Sequence, residues 1–264
     1  MSGGRVVAVL RAFWRASIAE ELQYRGNLIA AFWDTVFWGA MAVLTVAVFF
    51  GQTDRLGGWS FWEVLLLLGV FNVLVGVIEG VLRPGVGRLS EYVRTGALDL
   101  ILVRPVEPQL FVSFRHVVPW RVTDIALGFG FIGTALRQLG RVPAVAEVAA
   151  FALTLAAAVA VVYSVWIALM SLAFWFVSVE NIGVVFEAVF EAARYPVSAY
   201  PGALRFVFVY LLPIAWTTTI PASALTGRLV PSSALMSAIV AVAALAASRL
   251  VWLAAVQHYT SAGG

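Results

Sequence analysis

Four stretches of the chain, 28–50, 60–82, 144–177 and 233–256, are apolar over about twenty residues or more, the length at which a helix crosses bilayer hydrocarbon. A fifth, 120–137, is slightly shorter. No other feature restricts the fold as much. Hydrophobic residues form 62% of the 264, against about 45–50% in an ordinary soluble domain, and the chain reads as an all-α, polytopic membrane protein. The first 27 residues carry Arg5, Arg11, Arg15, Glu20, Glu21 and Arg25 without an uninterrupted apolar core, so no cleavable signal peptide is expected.

Several chemistries are excluded by residue type alone. Cysteine is absent, which removes disulfides and thiolate metal sites. All 17 basic residues are arginine, and a phosphate-binding P-loop needs a lysine, so this chain cannot hold ATP that way. His116 and His258 stand alone, and no H-E-x-x-H or G-x-S-x-G occurs, so an intramembrane enzyme is not expected.

Residues 5–25 have the periodicity of an amphipathic helix. Val6, Val7, Leu10, Phe13, Trp14 and Ile18 share one arc and Arg5, Arg11 and Arg15 another, a pattern suited to the membrane interface. Glu21 intrudes on the apolar arc. Between the second and third spans lies a basic loop, 83–119, holding Thr95-Gly-Ala-Leu-Asp-Leu-Ile-Leu-Val-Arg-Pro-Val-Glu-Pro108. This segment is too short and interrupted to cross a bilayer, yet too apolar for an idle loop. Thr95 is placed to cap a short helix, Asp99 suits its first turn, and Arg104-Pro105 stops it. Leu98, Ile101 and Leu102 share one face and predict an exposed apolar knob for a partner's groove.

The fifth span has two readings. Residues 204–222 are apolar but broken by Pro213 and Pro221, whereas 182–199 is moderately apolar and carries Glu187, Glu191 and Arg194. In the second reading 203–228 becomes a re-entrant hairpin, which membranes tolerate where protein surrounds it. Both give six spans with the termini on one side. Under the re-entrant reading eleven arginines fall on the N-terminal side and six opposite, which predicts cytosolic termini.

Four stretches occur together in order: Gly96-Ala-Leu-Asp-Leu-Ile-Leu-Val-Arg-Pro105, Arg194-Tyr-Pro-Val-Ser-Ala-Tyr-Pro201, Leu212-Pro-Ile-Ala-Trp216 with Ile220-Pro-Ala222, and His258-Tyr-Thr-Ser-Ala-Gly263. Across essentially its whole length the chain resembles the type-two ABC exporter permeases, in the branch with a GxLDxxLxRP loop and a YxSAG end. The resemblance implies one permease domain over 1–264 in the cytoplasmic (inner) membrane. It implies a connecting helix at 5–25 and a coupling helix around Leu98–Val103, with Leu98, Asp99, Ile101, Leu102 and Arg104 docking a partner. It also favours 182–199 as the fifth span and an outer re-entrant hairpin at 203–228. The implied partners are two copies of a separate ABC ATPase, which would hold ATP and Mg2+, and a second permease, paralogue or self. No cofactor on this chain and no nucleic acid are implied.

Charges within the spans allow two roles. Asp34, Glu79 and Asp124 lie near the cytosolic ends of their spans, within reach of Arg25, Arg83 and Arg121, and read as interfacial ion pairs. Glu187, Glu191 and Arg194 share a helix face and either line a translocation path or pair with one another and a neighbouring subunit. The competing function is an ion-coupled transporter or channel that works without an ATPase, with Glu187 and Glu191 as carriers. Six spans without an evident repeat are few for that class.

Overall fold

The computed structural model describes residues 3–23, 26–176, 180–211 and 216–259. Those residues are helical apart from turns and one isolated bridge, Leu56 with Trp59. In chain order the helices are α1 (Gly3–Glu21), α2 (Gly26–Phe50), α3 (Phe61–Val77), α4 (Arg83–Val86), α5 (Leu89–Arg94), α6 (Ala97–Leu102) and α7 (Pro108–Phe114). Then follow α8 (Val122–Gln138), α9 (Val145–Ser171), α10 (Glu180–Phe190), α11 (Gly202–Phe206), α12 (Thr219–Leu225) and α13 (Pro231–Gln257).

The bundle is built around α3. Its residues are apolar on every side, the composition of a helix with no solvent face, and Val64, Leu66, Leu67, Val70 and Leu74 are wholly buried. Glu63 caps its start by accepting the Ser60 N–H at 2.8 Å. Two glycines let α8 lie directly on it. A Cβ at Gly69 would sit 2.6 Å from the Gly128 carbonyl oxygen, and one at Gly128 would sit 2.5 Å from the Gly69 oxygen. Small residues at such a crossing bring backbones together where lipid offers no hydrophobic push. By contrast α2 and α13 turn Phe32, Trp33, Phe37, Val48, Leu235, Ile239 and Val242 outward.

Beyond Val77 the α3 helix passes through a π turn, Ile78–Leu82, into α4. Pro84 lacks the N–H that would bond the Gly80 carbonyl, and the Val118 N–H takes that oxygen instead at 2.8 Å. The π turn therefore joins the start of α8 to the end of α3.

Among the described residues four helices are long and apolar enough to cross a membrane: Gly26–Phe50, Phe61–Arg94, Val145–Phe174 and Pro231–Gln257. Four of the six spans expected from sequence, 28–50, 60–82, 144–177 and 233–256, overlap these helices. With 17 residues, α8 lies at the lower limit of about 17 for a span. The interval 182–199 is not one continuous helix. The 11 residues of α10 rise about 16 Å, roughly half the hydrocarbon, and a 3-10 turn ends at Tyr195, whose extended backbone precedes Pro196. Short helices, α11 with a π turn and α12, occupy the stretch expected as a hairpin, while Leu212, Pro213, Ile214 and Ala215 lie outside the described residues.

Each end of the bundle is tied by polar contacts. At one, Arg228 bonds Glu63 at 2.7 Å and covers the Trp59 ring, and Ser198 donates to the Gly57 carbonyl at 2.6 Å. At the other, α1 is pinned to the approach to α8. Trp14 donates to the Phe114 carbonyl, Ser17 exchanges two bonds with Val117, and the Trp120 indole donates to Glu21. Glu21, the intruder on the apolar arc, is the acceptor that fastens this helix.

Candidate functional site

Two arrangements carry chemistry or mechanics: a polar cavity inside the bundle and a short helix at the pinned end. The cavity, about 260 Å3, lies among α2, α3, α8, α9 and α10. Arg121 is its hub, 3.4 Å from Asp124, 3.7 Å from Glu79 and 3.8 Å from Asp34. Each carboxylate reaches the hub by a different route. Asp124 is buried in the first turn of α8 and accepts from the Thr35 hydroxyl at 2.6 Å. Glu79 sits in the π turn and holds Arg83 at 2.8 Å. Asp34 stands on α2 beside Thr35.

Glu191 and Arg194 reach the same cavity from α10 and its 3-10 turn. Arg194 Nη2 donates to Glu191 at 3.1 Å, and the guanidinium lies 5.1 Å over the Phe71 ring. Phe71 is ten residues into α3 from Phe61, about 15 Å along the axis, so this pair lies away from that end of the helix. Phe190 stacks on Phe71, and Phe186 packs edge-on against Trp166. The Glu187 side chain lies outside what is described. The two sets of charges that the sequence separated, interfacial pins and fifth-span residues, line one space.

Sequence placed Asp34, Glu79 and Asp124 near arginines as ion pairs, but not that all three converge on Arg121, which is 87 positions from Asp34. Asp124 is the buried member of this set, and its charge is tolerated because Arg121 lies beside it.

At the pinned end, α6 corrects two expectations. Thr95 does not cap it: its hydroxyl turns back to the Glu91 carbonyl at 2.8 Å, and Gly96 precedes the helix with φ +71°. That left-handed backbone suits glycine, which lacks the Cβ that would clash. Nor do Leu98, Ile101 and Leu102 form an exposed knob. Leu98 and Ile101 are buried within this chain's own core and Leu102 is half-buried, while Leu100 and Val103 are 67% and 80% exposed. Periodicity revealed an apolar stripe but not that the chain itself covers it. Arg104 and Arg115 both lie 5.1 Å from the Phe111 ring.

Asp99 meets Tyr259 of the terminal motif, and partial burial followed by this carboxylate holds the tyrosine hydroxyl above its ordinary pKa. Residues 260–264 lie outside the described set. His116, alone in the sequence, has partners here: Tyr92 at 3.2 Å and Arg88 at 3.4 Å. Burial, then Arg88 and Arg115, lower its pKa to about 4, so it is neutral at pH 7.

A second polar network leads away from α6. Glu107 caps α7 by accepting the Leu110 N–H at 2.7 Å and also accepts from Arg249 of α13 at 2.5 Å. Arg249 donates to Gln109 at 2.7 Å, and Gln109 with Ser113 holds the Tyr163 hydroxyl of α9 at 3.1 and 3.0 Å. Sequence reasoning missed this set because its members lie on three helices.

Compared with known proteins, residues 36–263 match a family model described as ABC-2 family transporter protein. No curated protein and no solved structure matches.

Proposed function

The chain belongs to the ABC-2 family of transporter proteins, and on that premise we propose that it is the membrane half of an exporter moved by a separate ATPase. It is a transmembrane permease of the ABC type. Export as the direction, two ATPase copies, a second permease, six spans, cytosolic termini and the cytoplasmic membrane belong to the proposal.

One observation carries it. The short helix α6 exposes Leu100 and Val103 beside Arg104, while its other face is sealed into the chain. An apolar tip on a firmly held helix suits insertion into a partner's groove, and the burial behind it passes a push onward. Leu98 and Ile101 share the core with Phe111 of α7, and α7 is linked through Glu107 and Gln109 to Arg249 and through Gln109 and Ser113 to Tyr163. Motion of α6 thus reaches α9 and α13. An ATPase that binds one state of the permease more tightly than the other supplies the bias.

The test is co-purification with an ABC ATPase expressed alongside the chain. L100D/V103D should abolish the complex while the permease still inserts and purifies, because both side chains face away from the core. Full recovery of the ATPase with that variant removes the docking role. Substrate movement by the purified chain alone under a pH gradient would establish the ion-coupled alternative.

A further inference from the structure

We infer that the cavity around Arg121 binds an organic cation: a positively charged nitrogen on an apolar or aromatic body that also carries an oxygen acceptor. This deepens the permease reading by naming a substrate class and rests on it for its biological meaning.

The charge argument comes first. Four carboxylates and three guanidiniums line the cavity. Each arginine has a closer carboxylate than Asp34 offers: Arg83 has Glu79 at 2.8 Å, Arg194 has Glu191 at 3.1 Å, and Arg121 has Asp124 at 3.4 Å. Among the described residues Asp34 reaches only Arg121, at 3.8 Å, beyond hydrogen-bond length, and its side chain is 52% exposed. The undermatched charge is therefore negative. Arg121 can release Asp34 without being stranded, because Glu79 and Asp124 remain beside it.

Geometry then selects the kind of cation. Trp38 stands four residues after Asp34 on α2 and lines the same cavity, so carboxylate and indole occupy one helix face. A carboxylate beside an aromatic face is an arrangement that holds an alkylammonium. Across the cavity Trp166 is 4% exposed, and its indole N–H has no acceptor among the described residues. A buried donor without a partner carries an uncompensated desolvation penalty, so a ligand oxygen there supplies the acceptor that the protein lacks. Phe71, Phe186 and Phe190 supply the apolar wall. The volume, about 260 Å3, lies just below the usual range of ligand pockets, about 300–1,000 Å3, and so suits a small ligand.

Benzoylcholine carries all three features, and 3,3-dimethylbutyl benzoate is its neutral isostere. Equilibrium dialysis of each against the purified chain in nanodiscs, with empty nanodiscs subtracted, tests the assignment. The cation should bind saturably and at least about tenfold tighter than the isostere. D34N should remove that preference and leave the isostere unchanged, and D34E should restore it. W166F should weaken both ligands alike, because they share the ester carbonyl. Equal binding of the two ligands, or a preference that survives D34N, overturns the inference. Folding is not at issue for D34N, since Asp34 is half exposed and makes no hydrogen bond among the described residues. Dialysis needs no ATPase, so a negative result leaves the docking reading standing. Loss of ATPase docking would equally leave the cation site intact.

Discussion

Arg121 and Arg249 are both arginines facing carboxylates inside a helical bundle, yet their surroundings differ in kind. Arg249 has tight partners, Glu107 at 2.5 Å and Gln109 at 2.7 Å, and Glu107 is itself fixed as a helix cap. Arg121 has three carboxylates at 3.4–3.8 Å around a cavity. Short, mutually satisfied bonds transmit displacement, because no atom can shift without losing a partner. Long, surplus contacts let a charge change partners as a ligand arrives. The same residue type therefore serves as a strut in one place and as an adjustable wall in the other.

The sharpest way to break this contrast is Arg121→Ala. It leaves the buried Asp124 without its cation, and removing the partner of a buried charge costs about 3 kcal/mol or more. Thermal unfolding of the purified variant should show a large drop, and a second substitution, Asp124→Asn, should recover part of it. An unchanged melting temperature would mean that the hub has no structural weight.

A smaller effect is expected from Arg249→Gln. Both members of that pair are partly exposed, 41% for Arg249 and 32% for Glu107, so stability should fall by only about 1 kcal/mol. If Arg249 is a strut, ATPase docking persists while substrate-stimulated turnover of the assembled complex drops roughly tenfold, about 1.4 kcal/mol in coupling. Loss of docking and turnover together would make Arg249 part of the docking surface instead.

The smallest effect belongs to His116, beside α5 at the pinned end. Its folded pKa, about 4, lies below the ordinary 6.5, so on acidification the unfolded chain takes up the proton first. Its stabilisation is complete above pH 6.5 and is lost as pH falls toward 4. With screening at this partly exposed site the change should be about 1 kcal/mol or less. His116→Gln should flatten the slope of melting temperature between pH 6.5 and 4, and an identical slope in wild type and variant would exclude the residue as its source.

Much of the fold was legible because it depends on short-range pattern. Apolar runs marked α2, α3, α9 and α13, and the uniform hydrophobicity of α3 is that of a helix enclosed on all sides. The candidate sites were legible only in pieces. Glu191 and Arg194 declared themselves by spacing, and the apolar stripe of α6 by period. What covers that stripe depends on how the chain folds back on it, and which charges meet at Arg121 depends on residues 42 and 87 positions away. Hydropathy also could not show that α10 stops halfway, since that follows from Pro196 and the turn at Glu191 rather than from average apolarity.

Sequence by itself determined that this chain lives in a bilayer as helices, carries no nucleotide-binding lysine, and keeps a short apolar helix outside its spans. These follow from residue type and from contacts a few positions apart. Tertiary structure alone decided that Leu98 faces inward and Leu100 outward and, among the described residues, that Asp34 is the carboxylate left undermatched and that Trp166 holds a buried N–H without an acceptor. Those depend on which helices meet and at what distance, and close packing at Gly69 and Gly128 sets that distance for α3 and α8.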